Sequence, residues 1–197
     1  MFDFDRKYRS KASVICGIDE AGRGPLAGDV YAAAVVFNDE IFIDGINDSK
    51  KLSAKKREAL FEEIIEKADS YCIATASVAE IAEMNILNAA MLAMKRAYEG
   101  LNFKPRLALV DGNRKPDLDC ETVTVVKGDA KSASVAAASI LAKVSRDRYM
   151  KQMAQLYPQY GFDKHAGYGT KAHIEALREF GPCPIHRELF LRKILSK

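Results

Sequence analysis

The sequence predicts an α/β layered domain with a helical C-terminal extension. Three observations lead there. Short apolar runs with β-branched content recur over the first two thirds of the chain, bracketed by turn-forming residues. Amphipathic segments of helical period alternate with them, as a sheet covered by helices requires. Beyond Ser132 the pattern is helical, starting with a long alanine-rich stretch and continuing in shorter pieces.

In chain order, residues 14–18 (VICGI) and 30–37 (VYAAAVVF) read as two strands joined by an acidic, glycine-rich turn. Ser53 caps a helix over 53–68, in which Leu60, Phe61, Ile64, Ile65 and Ala68 share one face. Residues 71–78 (YCIATASV) read as a third strand, and residues 79–100 as one long helix closed by Gly100. Two more strands are expected at 107–111 (LALVD) and 122–126 (TVTVV). The alanine-rich helix spans about Ser132 to Leu156 and stops before Pro158, because the residue preceding a proline is pushed out of helical geometry. Shorter helices follow around 171–180 and 187–195. No repeat or low-complexity linker marks a boundary, so a single domain over 1–197 is expected, with the extension covering about 158–197.

A chain of 197 residues with 48% hydrophobic composition can bury a core of its own. Thirty Lys and Arg against 27 Asp and Glu leave a net charge of +3, so any basic nucleic-acid surface must be local. Cys16, Cys72, Cys120 and Cys183 are scattered with no C-x-x-C pair, which predicts free thiols in a reduced, cytoplasmic setting. The charged N-terminus MFDFDRKYRSK has no apolar targeting core, and no stretch reaches the roughly 18 apolar residues of a membrane span. A cytoplasmic protein without a membrane partner is the expectation.

Four acids fall at or just past the ends of predicted strands: Asp19 and Glu20 after VICGI, Asp111 after LALV, and Asp129 after TVTVVKG. Strand ends of an open α/β sheet are where distant positions converge. Two carboxylates ~5 Å apart repel by about 3 kcal/mol at an effective dielectric near 20, so a cluster of four calls for a divalent cation. Oxygen ligands favour Mg²⁺ or Mn²⁺, and His165, His173 and His186 lack zinc-site spacing. The chemistry this predicts is two-metal phosphodiester hydrolysis. Taken singly, Asp111 and Asp129 read equally well as turn or capping residues.

The connection GIDEAGRGPLAG sets Asp19 and Glu20 before Arg23, which is flanked by Gly22 and Gly24. It lacks the G-K-[ST] ending of a P-loop and leads into a strand, so nucleotide-cofactor binding is disfavoured. Glycine on either side allows the backbone to approach a ligand closely, as reading a sugar hydroxyl requires, although an ordinary tight turn has the same composition.

Together with that connection, NDSKKLS (47–53), MNILNAAMLAMKRA (84–97), LVDGNR (109–114), VVKGDAKSASVAAASILAKVSRD (125–147) and YPQYGFDKHAGYGT (157–170) form an ordered set. In this order they resemble bacterial ribonuclease HII, the type 2 ribonuclease H, over nearly the full chain. The resemblance implies a ribonuclease H-like mixed sheet flanked by helices, and a metal-dependent endonuclease that cuts RNA in RNA–DNA hybrids. It also implies incision of duplex DNA on the 5′ side of an embedded ribonucleotide, leaving 3′-hydroxyl and 5′-phosphate ends. The family's catalytic, metal-binding acids fall on Asp19, Glu20, Asp111 and Asp129. Its junction-reading glycine–arginine–glycine falls on Gly22, Arg23 and Gly24, and its sugar-stacking tyrosine on Tyr168. The family also suggests a monomer.

Candidate phosphate contacts are Lys50 and Lys51, Lys131, and Lys143, Arg146 and Arg148 on the long helix; Ser132 or Ser134 would either contact phosphate or cap that helix. Two departures from the family pattern are Asp29, expected to be solvated, and GYGT in place of GYPT. Two rival readings remain at this point, a non-catalytic nucleic-acid binder on the same fold and a DNA-cutting ribonuclease H-like nuclease. The C-terminal FLRKILSK offers no clear clamp-binding motif.

Overall fold

A computed structural model describes residues 1–38 and 41–195; the end of the expected extension, Ser196 and Lys197, lies outside the described residues. Ile15–Ala21 (β1) and Val30–Val36 (β2) form an antiparallel pair, and Ser70–Ala76 (β3) adds antiparallel to the far side of β2. Leu107–Asp111 (β4) runs parallel to β1, and Glu121–Val125 (β5) parallel to β4. The spatial order β3-β2-β1-β4-β5 makes one mixed sheet.

Both faces of this sheet are covered, which explains why VYAAAVV is apolar throughout instead of alternating. Ala32, Ala34 and Val36 of β2 pack with Cys16 and Ile18 against Val78–Glu99 (α3). Ala33 and Val35 point the other way, toward Ala54–Lys67 (α2) and Ala133–Leu156 (α4). Alanine and glycine bring α4 unusually close to the sheet: a Cβ added to Gly17 would lie 2.1 Å from the carbonyl carbon of Ser134. Ser53 and Ser132 cap α2 and α4, accepting hydrogen bonds from the backbone N–H groups of Lys56 and Val135.

Beyond α4 come Phe162–His165 (α5), Lys171–Phe180 (α6) and Glu188–Leu195 (α7). They enclose a separate small core of Tyr160, Phe162, Leu177 and Leu191, into which Leu26, Ala27 and Met150 also pack. The connection after β1 is thereby sandwiched between the sheet domain and the C-terminal helices.

Three features depart from the sequence expectation. Phe2–Arg9 is a helix (α1), with Asp3 and Asp5 in its first turn and Arg6, Lys7 and Arg9 in its last, an arrangement matched to the helix dipole. Its buried Asp5 accepts from the backbone N–H and the hydroxyl of Ser134, at 2.9 and 2.7 Å. The segment 79–100 is two helices, because Asn85 at φ 71°, ψ 163° breaks the ladder and its Oδ1 caps the N–H groups of Leu87 and Asn88. Asp29 is half-buried instead of solvated: its Oδ1 accepts from Val78 N–H at 3.0 Å and so helps start α3.

Candidate active site

Ile18 pairs with Val110 across the parallel β1–β4 ladder, so Asp19 and Asp111 follow at matching positions on the α4 side of the sheet. The acidic pair does not leave the strand: β1 stays paired with β2 through Ala21↔Tyr31, and the turn begins at Gly22. Asp19 and Glu20 therefore point to opposite faces at the open end of the sheet.

Asp19 is the buried member, at 5% exposure. Its Oδ1 accepts from the Glu20 N–H at 2.7 Å, and the nearby Ser139 hydroxyl of α4 favours its charged form. Burial, then repulsion from Glu20 and Asp111, pushes its pKa well above the usual carboxylate value. Glu20 accepts from Arg23 at 3.1 Å and borders a small cleft with Asp111, Leu87 and Met91. Asp111 Oδ1 accepts from the Gly128 N–H at 2.7 Å, which ties the end of β4 to the turn carrying Asp129. That turn is a single 3₁₀ turn, Gly128–Ala130, entered through Lys127 in the left-handed region. Burial, then Asp111 and Asp48, raises the Asp129 pKa.

Lys50 stands over this acidic end. Its ammonium lies 3.9 Å from Asp129; burial acts to lower its pKa, but Asp129, Asp19, Asp48 and Asp111 together raise it. The same lysine borders the cleft of about 550 Å³ that also has Glu20, the Gly22–Gly24 turn and Tyr168 in its walls. Tyr168 is 45% exposed, and its ring edge comes within 3.6 Å of the Cβ position of Gly24.

The donor set suits a hard divalent cation, being all oxygen, and the repulsion felt by Asp19 is what such a cation would relieve. Among the described residues no three His, Cys, Asp or Glu side chains are already closed into a coordination cluster. The four acids surround the sheet end from both faces.

Several basic candidates are committed elsewhere. Arg146 is 1% exposed and donates to the carbonyls of Ala27, Asp29 and Ala166. Arg148 is paired with Glu58 and Glu62, and Lys143 with Asp147. Ser132 caps α4 and Ser134 is bonded to Asp5. Sequence reasoning overlooked Ser49 and Ser139, whose hydroxyls lie 2.9 Å apart beneath the cleft, and Arg187, buried against the glycine turn. Ser49 lay within the motif NDSKKLS and was legible there; Arg187 carried no signal apart from its charge.

The described helices include none long and apolar enough to cross a membrane. The four cysteines are free. Residues 16–193 match the family model described as ribonuclease HII. A ribonuclease HII of Caldicellulosiruptor saccharolyticus is 57% identical over 181 residues, covering 92% of this chain and 88% of the relative. Another, from Burkholderia thailandensis, is 57% identical over 188 residues, covering 95% and 86%. The crystal structure of ribonuclease H2 from Pyrococcus horikoshii superposes with a TM-score of 0.77 at 30% identity, over 93% of this chain and 97% of that one. The shared architecture is the ribonuclease H-like mixed sheet with flanking helices that the motifs implied. Matched by that family model over nearly its whole length, and by relatives more than half identical to it, the chain belongs to the ribonuclease HII family and is a ribonuclease H-type hydrolase.

Proposed function

We propose that the protein is an endonuclease that hydrolyses RNA in RNA–DNA hybrids and incises duplex DNA on the 5′ side of an embedded ribonucleotide, leaving 3′-hydroxyl and 5′-phosphate ends. The observation that carries this reading is the cleft bordered by Glu20, the Gly22–Gly24 turn, Lys50 and Tyr168, which puts one of the four acids beside the glycine turn and an exposed aromatic ring. Family membership supports the hybrid substrate. A binder without chemistry gains nothing from directing carboxylates at phosphates, and an enzyme cutting plain DNA needs no sugar reader.

Asp19, Glu20, Asp111 and Asp129 would hold Mg²⁺ or Mn²⁺. Bound there, the cation supplies Lewis acidity that makes water a stronger nucleophile and neutralises charge on the phosphate. The chain's own groups do the rest. Lys50, facing solvent above Asp129, meets a phosphate oxygen as a point charge. The Glu20 N–H holds one oxygen of the Asp19 carboxylate. No acceptor among the described residues takes the N–H of Gly22, Arg23 or Gly24, so these amides are available to a ribose 2′-hydroxyl. Arg23 reaches back to Glu20, tying the reader to the acidic end. The Tyr168 ring, lying against the Gly24 position, offers a flat surface to the next sugar.

The test is cleavage of an RNA–DNA hybrid with Mg²⁺ or Mn²⁺ by the wild type and by Asp19→Asn, Glu20→Gln and Asp111→Asn. Each variant should lose cleavage by at least about a hundredfold while retaining hybrid binding within severalfold. Near-normal turnover by Asp111→Asn would contradict the assignment.

A further inference from the structure

The two parts of the proposed ribose reader come from opposite ends of the chain, and neither the Gly22–Gly24 turn nor Tyr168 belongs to a helix or strand. Reading one sugar requires a fixed spacing between them. The segment Cys183–Arg187 of the C-terminal extension lies against both.

This segment is laced to the continuation of the glycine turn. Ala27 and His186 form an antiparallel bridge, Gly28 N–H donates to the Ile185 carbonyl, and Arg187 N–H donates to the Leu26 carbonyl, both at 2.8 Å. Leu26 N–H in turn donates to the carbonyl of Gly167, beside Tyr168.

The Arg187 side chain then fills the underside of the turn. Its guanidinium is buried and donates to the carbonyls of Gly22 at 2.6 Å, Pro25 and Gly28 at 2.8 Å, and Arg23 at 3.1 Å. A buried cation is tolerated only when its donors are occupied, and here backbone carbonyls of one turn occupy them. Burial, followed by repulsion from Arg146, lowers the Arg187 pKa to about 9. Arg146 closes the turn from the other side, its Nε lying 2.2 Å from where a Gly22 Cβ would be. The carbonyls of Gly22 and Arg23 are thus engaged by Arg187, while the amides of Gly22 to Gly24 have no acceptor among the described residues.

The preceding residue, His186, acts on Tyr168. Cys183 N–H donates to His186 Nδ1 at 2.9 Å, so the ring proton resides on Nε2, which donates to His173 Nε2 at 3.0 Å. His173 Nδ1 donates to the Tyr168 carbonyl at 2.9 Å. These partners fix both rings as neutral tautomers in a chain that ends on the Tyr168 backbone. Tyr160 and Phe162 pack against both rings and His165 stacks on His173, which leaves the relay little freedom.

We infer that Cys183–Arg187 is the brace of the ribose reader: Arg187 holds the Gly22–Gly24 turn through its carbonyls while His186, through His173, holds Tyr168, and together they set the spacing on which recognition of a single ribonucleotide depends. Both are positioning residues. The inference rests on the proposed reading of the turn and Tyr168.

The test compares kcat/KM for a DNA duplex carrying one ribonucleotide with kcat/KM for a continuous RNA–DNA hybrid, in the wild type, Arg187→Lys, His186→Leu and His186→Gln. Lysine keeps the buried charge but cannot reach several carbonyls at once. Leucine breaks the relay, whereas a glutamine amide restores a donor near the Nε2 position. Thermal melts establish that each protein is folded at the assay temperature. The ratio of single-ribonucleotide to hybrid activity is expected to fall about tenfold in Arg187→Lys and His186→Leu and to recover to within about threefold in His186→Gln, since small misplacements of a reading group carry losses of that size. A merely structural role would weaken both substrates alike, so an unchanged ratio in the folded variants overturns the brace. Should Arg187→Lys not fold, His186→Leu and its rescue by His186→Gln decide the matter alone. A wild type that ignores the single ribonucleotide overturns the proposed function itself, a different result.

Discussion

Gly22 concentrates the demands on this site. It sits at φ 98°, which side chains rarely adopt, and the space a Cβ would take is filled by the Arg146 side chain. Gly22→Ala is expected to cost about 1–3 kcal/mol of stability, read by denaturant unfolding, and to depress cleavage of every ribonucleotide substrate. Gly24 is the useful contrast, because a Cβ there meets only the Tyr168 ring at ordinary contact distance. Gly24→Ala is therefore expected to fold normally and to affect substrate use alone. If Lys50 makes the proposed phosphate contact, Lys50→Ala is expected to weaken hybrid binding and flatten its salt dependence, measured as the slope of log K against log salt. The acids were legible as positions in the sequence, because carboxylates stand out at the ends of apolar strands, whereas the reading roles of the glycine turn and of Tyr168 came only with the family resemblance. The role of Arg146 was not legible: a basic residue on a helix reads as a phosphate contact unless the carbonyls that surround it are known, and those come from residues 27, 29 and 166.

At the scale of elements, strands and capped helices followed their patterns because local chemistry decided them. Ser53 and Ser132 each cap a helix as their patterns indicate, whereas Ser77, read as part of the third strand, ends that strand and caps α3 in a full capping box with Glu80. The break in α3 escaped notice because the apolar period runs through it without a proline or glycine. Asn85 holds a backbone conformation close to glycine-only territory, stabilised by its own side chain bonding to Leu87 and Asn88 N–H. Asn85→Ala keeps the strain and loses the cap, so unfolding measurements should register a loss of about 1–2 kcal/mol. Ile86 borders the main cleft, and cleavage should slow together with the loss of stability. The strand limits shifted for a similar reason. VICGI looked finished at Ile18 because acids are poor strand formers, yet pairing with β2 carries the strand on to Ala21.

For the whole molecule, the sheet domain and the C-terminal helices are joined through the connection after β1, and the helices are tied to one another through His173 and His186. Burial, then His173, holds the His186 pKa down to about 4, and burial lowers that of His173, with His165, Tyr160 and Cys183 as their titratable neighbours. A histidine whose folded pKa is depressed takes up protons more readily when unfolded, so its stabilising contribution is full above pH ~6.5 and is lost as pH falls toward 4. Melting temperatures should drop across that window, and by less in His186→Gln, which has no ring to protonate. The layered architecture was legible as a whole because short strand-like runs alternate along the chain with amphipathic segments of helical period. The fit of the extension against the glycine turn was not, since its contacts are made by backbone carbonyls that no sequence pattern records.

The proposed function puts hydrolysis at the acidic sheet end and ribose reading at the glycine turn, with Glu20 bordering the cleft that holds that turn. Its most direct test is a DNA duplex carrying one ribonucleotide, incubated with Mg²⁺ or Mn²⁺ and resolved at single-nucleotide length. The wild type is expected to give a single nick on the 5′ side of the ribonucleotide with a 3′-hydroxyl end, no cut in the matching all-DNA duplex, and no cut with Asp111→Asn. Equal cutting of the all-DNA duplex, or a nick that persists in Asp111→Asn, would contradict it.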